Sequence, residues 1–67
     1  MSEQIKQISK RIKELREISG ISAETLAREL GIDSKTYTEY ESGNVDIPVS
    51  LLFKIAGRFN VELSEIL

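Results

Sequence analysis

The sequence predicts an all-α domain, a compact bundle of five helices, and three observations lead to this prediction. Apolar residues recur at intervals of three and four along much of the chain, which is the spacing of one helical face. No segment has the alternating pattern that would indicate a strand. Most of the apolar segments are followed by a residue that commonly ends a helix in the left-handed conformation, namely Gly20, Gly31, Gly43 and Asn60.

Length and composition restrict how this domain is stabilised and what it can bind. The 67 residues include no cysteine and no histidine, which excludes disulfide bridges and the usual zinc ligands. We expect no metal and no other cofactor. No segment reaches the roughly 20 apolar residues of a membrane span, and the N terminus lacks a signal-peptide core. We therefore expect a cytoplasmic protein without a membrane partner, stabilised by helix packing.

The first predicted helix extends from about Ser2 or Glu3 to Ser19 and has one apolar face with basic residues on the other. The apolar residues are Ile5, Ile8, Ile12, Leu15 and Ile18. Their spacing resembles a heptad, so a coiled-coil partner is conceivable. The stripe covers barely two heptads, however, which favours the core face of a globular bundle.

Residues 21–43 are predicted to form two short helices joined by a tight turn. Ser22 can cap the first of these helices, and Gly31 supplies the left-handed residue that ends it. Asp33 can cap the second helix and place negative charge at its positive end. Because only Gly31 and Ile32 lie between the helix and the next cap, the two helices must cross steeply. This is the helix-turn-helix arrangement, whose second helix can enter a groove of DNA.

Two further helices are predicted to complete the core. Pro48 fits the first turn of a fourth helix, and a short fifth helix is expected from about Leu63 to Leu67. The apolar residues of the fourth helix form two adjoining rows, Leu51, Leu52, Ile55, Ala56 and Phe59. The chain is still apolar at Leu67, which suits either a minimal domain of residues 1–67 or the N-terminal part of a longer regulator.

Several motifs together resemble the phage-repressor helix-turn-helix domains (Cro/C1-type, or XRE), which share the lambda-repressor-like fold. The resemblance covers roughly Ile8 to Leu67. The resemblance rests on the segments RIKELREISGISAETLARELGID, the Tyr40–Gly43 sequence YESG, Pro48 and LLFKIAGRFNVELSEIL. It implies five helices, a third helix that reads double-stranded DNA, and frequent binding as a homodimer to two half-sites. Some such regulators carry a C-terminal sensor domain, for example a small cupin barrel.

The resemblance also assigns roles to individual residues. Arg16 and Glu41 match a partly buried ion pair that links helix one to the end of helix three. Such a pair is physically reasonable, because each charge would be costly to bury alone. The base-reading positions match Ser34, Lys35, Thr38 and Glu39. Phosphate contacts fall on Ala23, Thr36, Ser42 and Asn44.

The chemistry of these side chains suits the assigned roles to different degrees. Lys35 can donate to guanine O6 or N7, and Glu39 can accept from cytosine N4, while the hydroxyls can serve either role. The family often has a phosphate-binding Gln where this chain has Ala23. That position therefore offers only its backbone N–H at a helix N-terminus.

The distribution of charge argues against a simple DNA-binding interpretation. The net charge is −2, and residues 22–44 contain two basic and five acidic side chains, a net charge of −3. We expect weak DNA binding with a shallow salt dependence. The alternative is a degenerate helix-turn-helix that has lost DNA reading and serves as a protein-interaction or dimerisation module, which Ala23, Asp33 and Glu39 favour. A positive rim beside helix three would favour DNA binding.

An enzyme is not expected, because the chain has no Gly-rich phosphate loop and no cluster of catalytic side chains.

Overall fold

The computed structural model describes residues 3–67, and within this range the chain forms four α-helices, one 3₁₀ helix and no strand. The α-helices are α1 (Glu3–Ile18), α2 (Ala23–Leu30), α3 (Ser34–Ser42) and α4 (Val49–Phe59), and the 3₁₀ helix is Leu63–Glu65. The all-α class is confirmed. Of the two predicted starts of α1, Glu3 is the first described residue and Ser2 lies outside the described residues.

The fifth predicted helix is only a 3₁₀ turn. Asn60 ends α4 in the left-handed conformation, with a φ of 57°. The Glu62 and Glu65 side chains accept from the backbone N–H groups at either end of the turn. These bonds replace the interactions that a longer α-helix would make along its own backbone. The bundle therefore has four α-helices among its described residues, where five helices were predicted.

The helix-turn-helix segment is formed by the predicted caps. The Ser22 hydroxyl accepts from the Thr25 N–H at 3.0 Å, and Asp33 accepts from the N–H groups of Lys35 and Thr36 at 3.0 and 3.3 Å. Gly31 has a φ of 77°, a conformation that costs glycine no steric strain. These local bonds end α2 and start α3 within a few residues, which confirms the predicted tight turn.

The core contains an almost fully buried residue from each part of the bundle. Ile12 of α1, Leu26 of α2, Tyr37 of α3, Ile55 of α4 and Ile66 after the 3₁₀ helix are all 0–1% exposed. The α3 helix packs against both α1 and α2, and α4 packs against α2 and the 3₁₀ helix. Among residues 3–67, no helix combines the length and apolar character needed to span a bilayer.

One predicted core residue is on the surface. Ile18 was expected to extend the apolar stripe of α1, but it is 83% exposed. It follows Leu15 by three residues, and a step of three residues falls short of a full helical turn by roughly 60°. Leu15 itself follows Ile12 by three, so the second short step carries Ile18 out of the buried face.

Candidate nucleic-acid interface

The outer face of α3 is polar and open. Lys35, Thr38 and Glu39 are exposed, whereas Ser34 is partly buried at the first turn. The Thr38 hydroxyl donates to the Ser34 carbonyl at 2.8 Å. This bond uses the hydroxyl hydrogen and leaves the oxygen able to accept a further hydrogen bond. The face thus offers a donor in Lys35 and acceptors in Thr38 and Glu39.

The residues assigned to phosphate contacts differ in how available they are. Ala23 is partly buried and begins α2, so its contribution is the backbone N–H at the helix N-terminus. Thr36 and Asn44 are exposed. The Ser42 hydroxyl donates to the Glu39 carbonyl at 2.5 Å and accepts from the Asn44 N–H at 3.2 Å. Ser42 is therefore already engaged in closing the C-terminal end of α3.

The inner face of α3 is attached to α1 by a cluster around Glu41. Arg16 donates from Nε to Glu41 Oε2 at 2.7 Å and from Nη2 to Oε1 at 3.1 Å, a bidentate ion pair. Arg16 Nη1 also donates to the Ile21 carbonyl at 2.9 Å. The two side chains are only 13% and 10% exposed. The hydrogen bond to Glu41, with its negative charge, raises the pKa of Arg16 against the opposing effect of burial.

Tyr37 is the third member of this cluster. It is 0% exposed. Its hydroxyl donates to Glu41 Oε2, a contact that the sequence analysis did not identify. Burial, together with this hydrogen bond, raises the pKa of Tyr37 well above its ordinary range. The signal in the sequence was the four-residue spacing of Tyr37 and Glu41, which places both on one side of a helix.

A second contact between α1 and α3 comes from a buried serine. Ser9 is 1% exposed, and its hydroxyl donates to the Tyr40 carbonyl at 2.7 Å. This bond satisfies one of the last carbonyls of α3, which have no partner within the helix. Sequence reasoning missed Ser9, since a serine beside an apolar stripe is commonly a solvated residue.

Three lysines lie on or beside α3. Lys35 is on the helix itself. Lys6 packs at its C-terminal end, where a Cβ placed on Gly43 would lie 3.5 Å from both Cα and Cγ of Lys6. Lys54 lines a shallow surface cavity together with Ile32 and Tyr40. These placements put three positively charged side chains on or beside α3.

Two arginines form ion pairs with other helices. Arg58 forms an ion pair with Glu29 that connects α4 to α2, and its guanidinium lies 5.5 Å from the centroid of the Phe59 ring. Arg16 is paired with Glu41. These arginines therefore contribute to packing between helices, and the lysines supply the positive charge near α3.

A capped pair of short helices with an exposed polar second helix defines a helix-turn-helix domain, a class of DNA-binding regulatory domains. The family model described as Helix-turn-helix matches residues 12–66, and the chain belongs to this family. The predicted resemblance to Cro/C1-type (XRE) domains is thereby confirmed.

One curated relative is an uncharacterized HTH-type transcriptional regulator from Methanocaldococcus jannaschii. It is 34% identical over 56 residues, which cover 84% of this chain and 85% of the relative. No solved structure matches the chain.

Proposed function

We propose that this chain is the sequence-specific DNA-binding domain of a transcriptional regulator, with α3 lying in the major groove. The observation that carries the proposal is the difference between the two faces of α3. Lys35, Thr38 and Glu39 are exposed along its outer face, while Tyr37 and Glu41 attach its inner face to the bundle. A helix held in this way can present its polar side chains to base edges without rearrangement of the domain. Membership of the helix-turn-helix family supports the same proposal.

The proposed base reading follows from the chemistry of the outer face. Lys35 donates to guanine O6 or N7, and Glu39 accepts from the exocyclic amine of cytosine. Thr38 accepts through its hydroxyl oxygen or contacts a thymine methyl group. Ser34, partly buried at the start of the helix, reaches only a base that lies close to the first turn. The resulting preference is for a site that contains G·C pairs opposite Lys35 and Glu39.

The proposed phosphate contacts are few. The N–H of Ala23 at the start of α2 offers a donor without a charge, and Thr36 and Asn44 add neutral side chains. Ser42 contributes least, because its hydroxyl already has two partners. With a net charge of −3 over residues 22–44, this segment alone gives weak binding that depends little on salt.

The assembly and setting of the domain are part of the proposal. We propose that two copies bind two half-sites as a homodimer, since one copy presents a single reading helix. We also propose a cytoplasmic location, where the DNA is accessible. A C-terminal sensor domain in a longer protein would connect DNA binding to a signal, and residues 1–67 would then form the N-terminal domain of that regulator.

A selection from random-sequence DNA with the purified protein tests the proposal. We expect an enriched motif, and we expect the selected duplex to bind more tightly than a scrambled duplex of the same composition. Ser64→Ala, a change at an exposed residue outside the helix-turn-helix, is the control and leaves the preference intact. Failure to enrich any motif at low salt overturns the proposal and favours the alternative, a domain that binds a protein partner through α3.

A further inference from the structure

We propose that a lysine row on α1, formed by Lys6, Lys10 and Lys13, binds the sugar-phosphate backbone of DNA beside the site that α3 reads. This inference rests on the proposed function and adds to it a contact surface outside the helix-turn-helix. It also answers a physical difficulty, because the helix-turn-helix segment is acidic and cannot itself neutralise many phosphates. The lysines of α1 would then supply the positive charge that neutralises the phosphates.

The position of α1 relative to α3 is fixed by three contacts. Arg16 is paired with Glu41, and the Ser9 hydroxyl bonds to the Tyr40 carbonyl. Lys6 lies against Gly43, with its Cα and Cγ 3.5 Å from the site of a Cβ on that glycine. All three contacts on the α3 side fall between residues 40 and 43. Most of α1 therefore runs past the C-terminal end of α3.

The lysine row borders the face of α1 that makes these contacts. Positions 6, 9, 13 and 16 are separated by three and four residues, so they lie along one side of the helix. Lys13 therefore lies between the Ser9 and Arg16 contacts, and Lys10 lies one turn beyond Lys6. The side chains of Lys6, Lys10 and Lys13 are all exposed. The row spans about 10 Å of helix, comparable to the axial length of three phosphates on one strand.

The charges of the row are available to a polyanion. Within residues 3–67, the ion pairs are Arg16–Glu41 and Arg58–Glu29, and neither involves a lysine of the row. The acidic residues of α1 flank the row: Glu3 precedes Lys6 by three residues, and Glu14 and Glu17 follow Lys10 and Lys13 by four. Residues 1–21 nevertheless have a net charge of +2, compared with −3 for residues 22–44. Charge complementarity therefore favours DNA as the occupant of this surface.

Lys6 has a second role that the experiment must separate from phosphate binding. It lies at the C-terminal end of α3, a helix with no basic residue in its own last turn. A cation there interacts favourably with the negative end of the helix dipole. Loss of that interaction would lower the melting temperature, whereas loss of a phosphate contact would change how binding depends on salt.

The test measures binding of the full chain to its selected duplex and to a scrambled duplex over a series of KCl concentrations. The variants are Lys6→Gln, Lys10→Gln and Lys13→Gln, singly and together. Each substitution that removes a phosphate contact lowers the slope of log K against log salt by about 0.9 in magnitude. It also weakens binding to both duplexes by the same factor. The corresponding Lys→Arg variants keep the slope of the wild type.

Arg11→Gln is the matched control, because it removes the same charge from the same helix. Arg11 follows Lys6 by five residues and lies about 140° away around α1. The Arg11→Gln variant should keep the wild-type slope of log K against log salt. Lysine variants whose slopes match that of Arg11→Gln overturn the inference, even if their melting temperatures fall. If the lysine row fails this test but Lys35→Ala still alters the base preference, the proposed DNA-binding function stands without the lysine row. If the wild-type protein binds neither duplex, the proposed function and the lysine-row inference both fail.

Discussion

The two faces of α3 differ in their surroundings: the inner face contacts the bundle, and the outer face is exposed to solvent. The inner face places Tyr37 and Glu41 in contact with Arg16 on another helix, with little exposure to solvent. The outer face carries Lys35 and Glu39, which are exposed and have no role in the core. Changes to the inner face should therefore alter stability, and changes to the outer face should alter binding. The following predictions test this division, beginning with the largest expected effect.

Glu41→Ala should be the most damaging single change on α3. It leaves the Arg16 guanidinium partly buried without its carboxylate, and it also removes the acceptor of the Tyr37 hydroxyl. We expect the free energy of unfolding to fall by about 2 kcal/mol or more. Urea unfolding followed by circular dichroism measures this loss.

Glu39→Ala is the control for that measurement, because it removes a carboxylate from the exposed face of the same helix. Its effect on the free energy of unfolding should stay within about 0.5 kcal/mol. Equal stabilities for the two variants would show that the ion pair has no special role, and the distinction between the faces would fail.

Lys35→Ala should produce the opposite result. Lys35 is exposed and on the outer face, so the stability of the domain should remain close to that of the wild type. Removal of a donor to guanine should reduce discrimination at one base pair of the selected site by about 1–3 kcal/mol. Competition binding with duplexes that vary at each position measures this change. An equal loss of affinity for every sequence would instead identify Lys35 as a phosphate contact.

The sequence was sufficient to predict the features that depend on local chemistry. Ser22, Gly31 and Asp33 are caps whose bonds reach only two to four residues along the chain, so their positions could be inferred directly. The surface position of Ile18 was missed because two successive steps of three residues, each short of a full turn by roughly 60°, carry it away from the buried face. The 3₁₀ turn was missed because the apolar spacing of this segment does not distinguish an α-helix from a short turn closed by the Glu62 and Glu65 side chains.

The contacts between α1 and α3 could be predicted only in part. The Arg16–Glu41 pair was an implication of the family resemblance, since nothing in the spacing of two residues 25 apart indicates that they meet. The Ser9 bond to Tyr40 and the packing of Lys6 on Gly43 depend on the register of α1 against α3. That register is a property of the packed core, so these parts of the candidate site required the structure.

Tyr37→Phe should have a smaller effect than Glu41→Ala, because the aromatic ring stays in the core and Glu41 keeps Arg16. Loss of the hydroxyl bond to this carboxylate should cost about 1.5 kcal/mol at neutral pH. The pKa of Tyr37 is raised in the folded state. The protonated hydroxyl therefore gives its full stabilisation at pH values below about 10, the pKa of tyrosine in the unfolded chain. Above that pH, stability should fall as the unfolded state loses the proton first.

Urea unfolding of the wild type and of Tyr37→Phe between pH 7 and pH 11 measures this dependence. The wild type should lose its advantage over the variant as the pH rises above about 10. A difference between the two proteins that is constant over the whole range would show that the Tyr37 hydroxyl is not linked to folding in this way.

The ion pair between Glu29 and Arg58 should contribute least. It connects α2 to α4, as Arg16–Glu41 connects α1 to α3, but its side chains are 37% and 39% exposed. Solvent screens such a pair, so a double-mutant cycle of Glu29→Gln and Arg58→Gln should give a coupling energy below about 1 kcal/mol. The coupling should also weaken in 1 M salt. A value equal to that of the Arg16–Glu41 pair would mean that burial does not decide which ion pairs hold this bundle together.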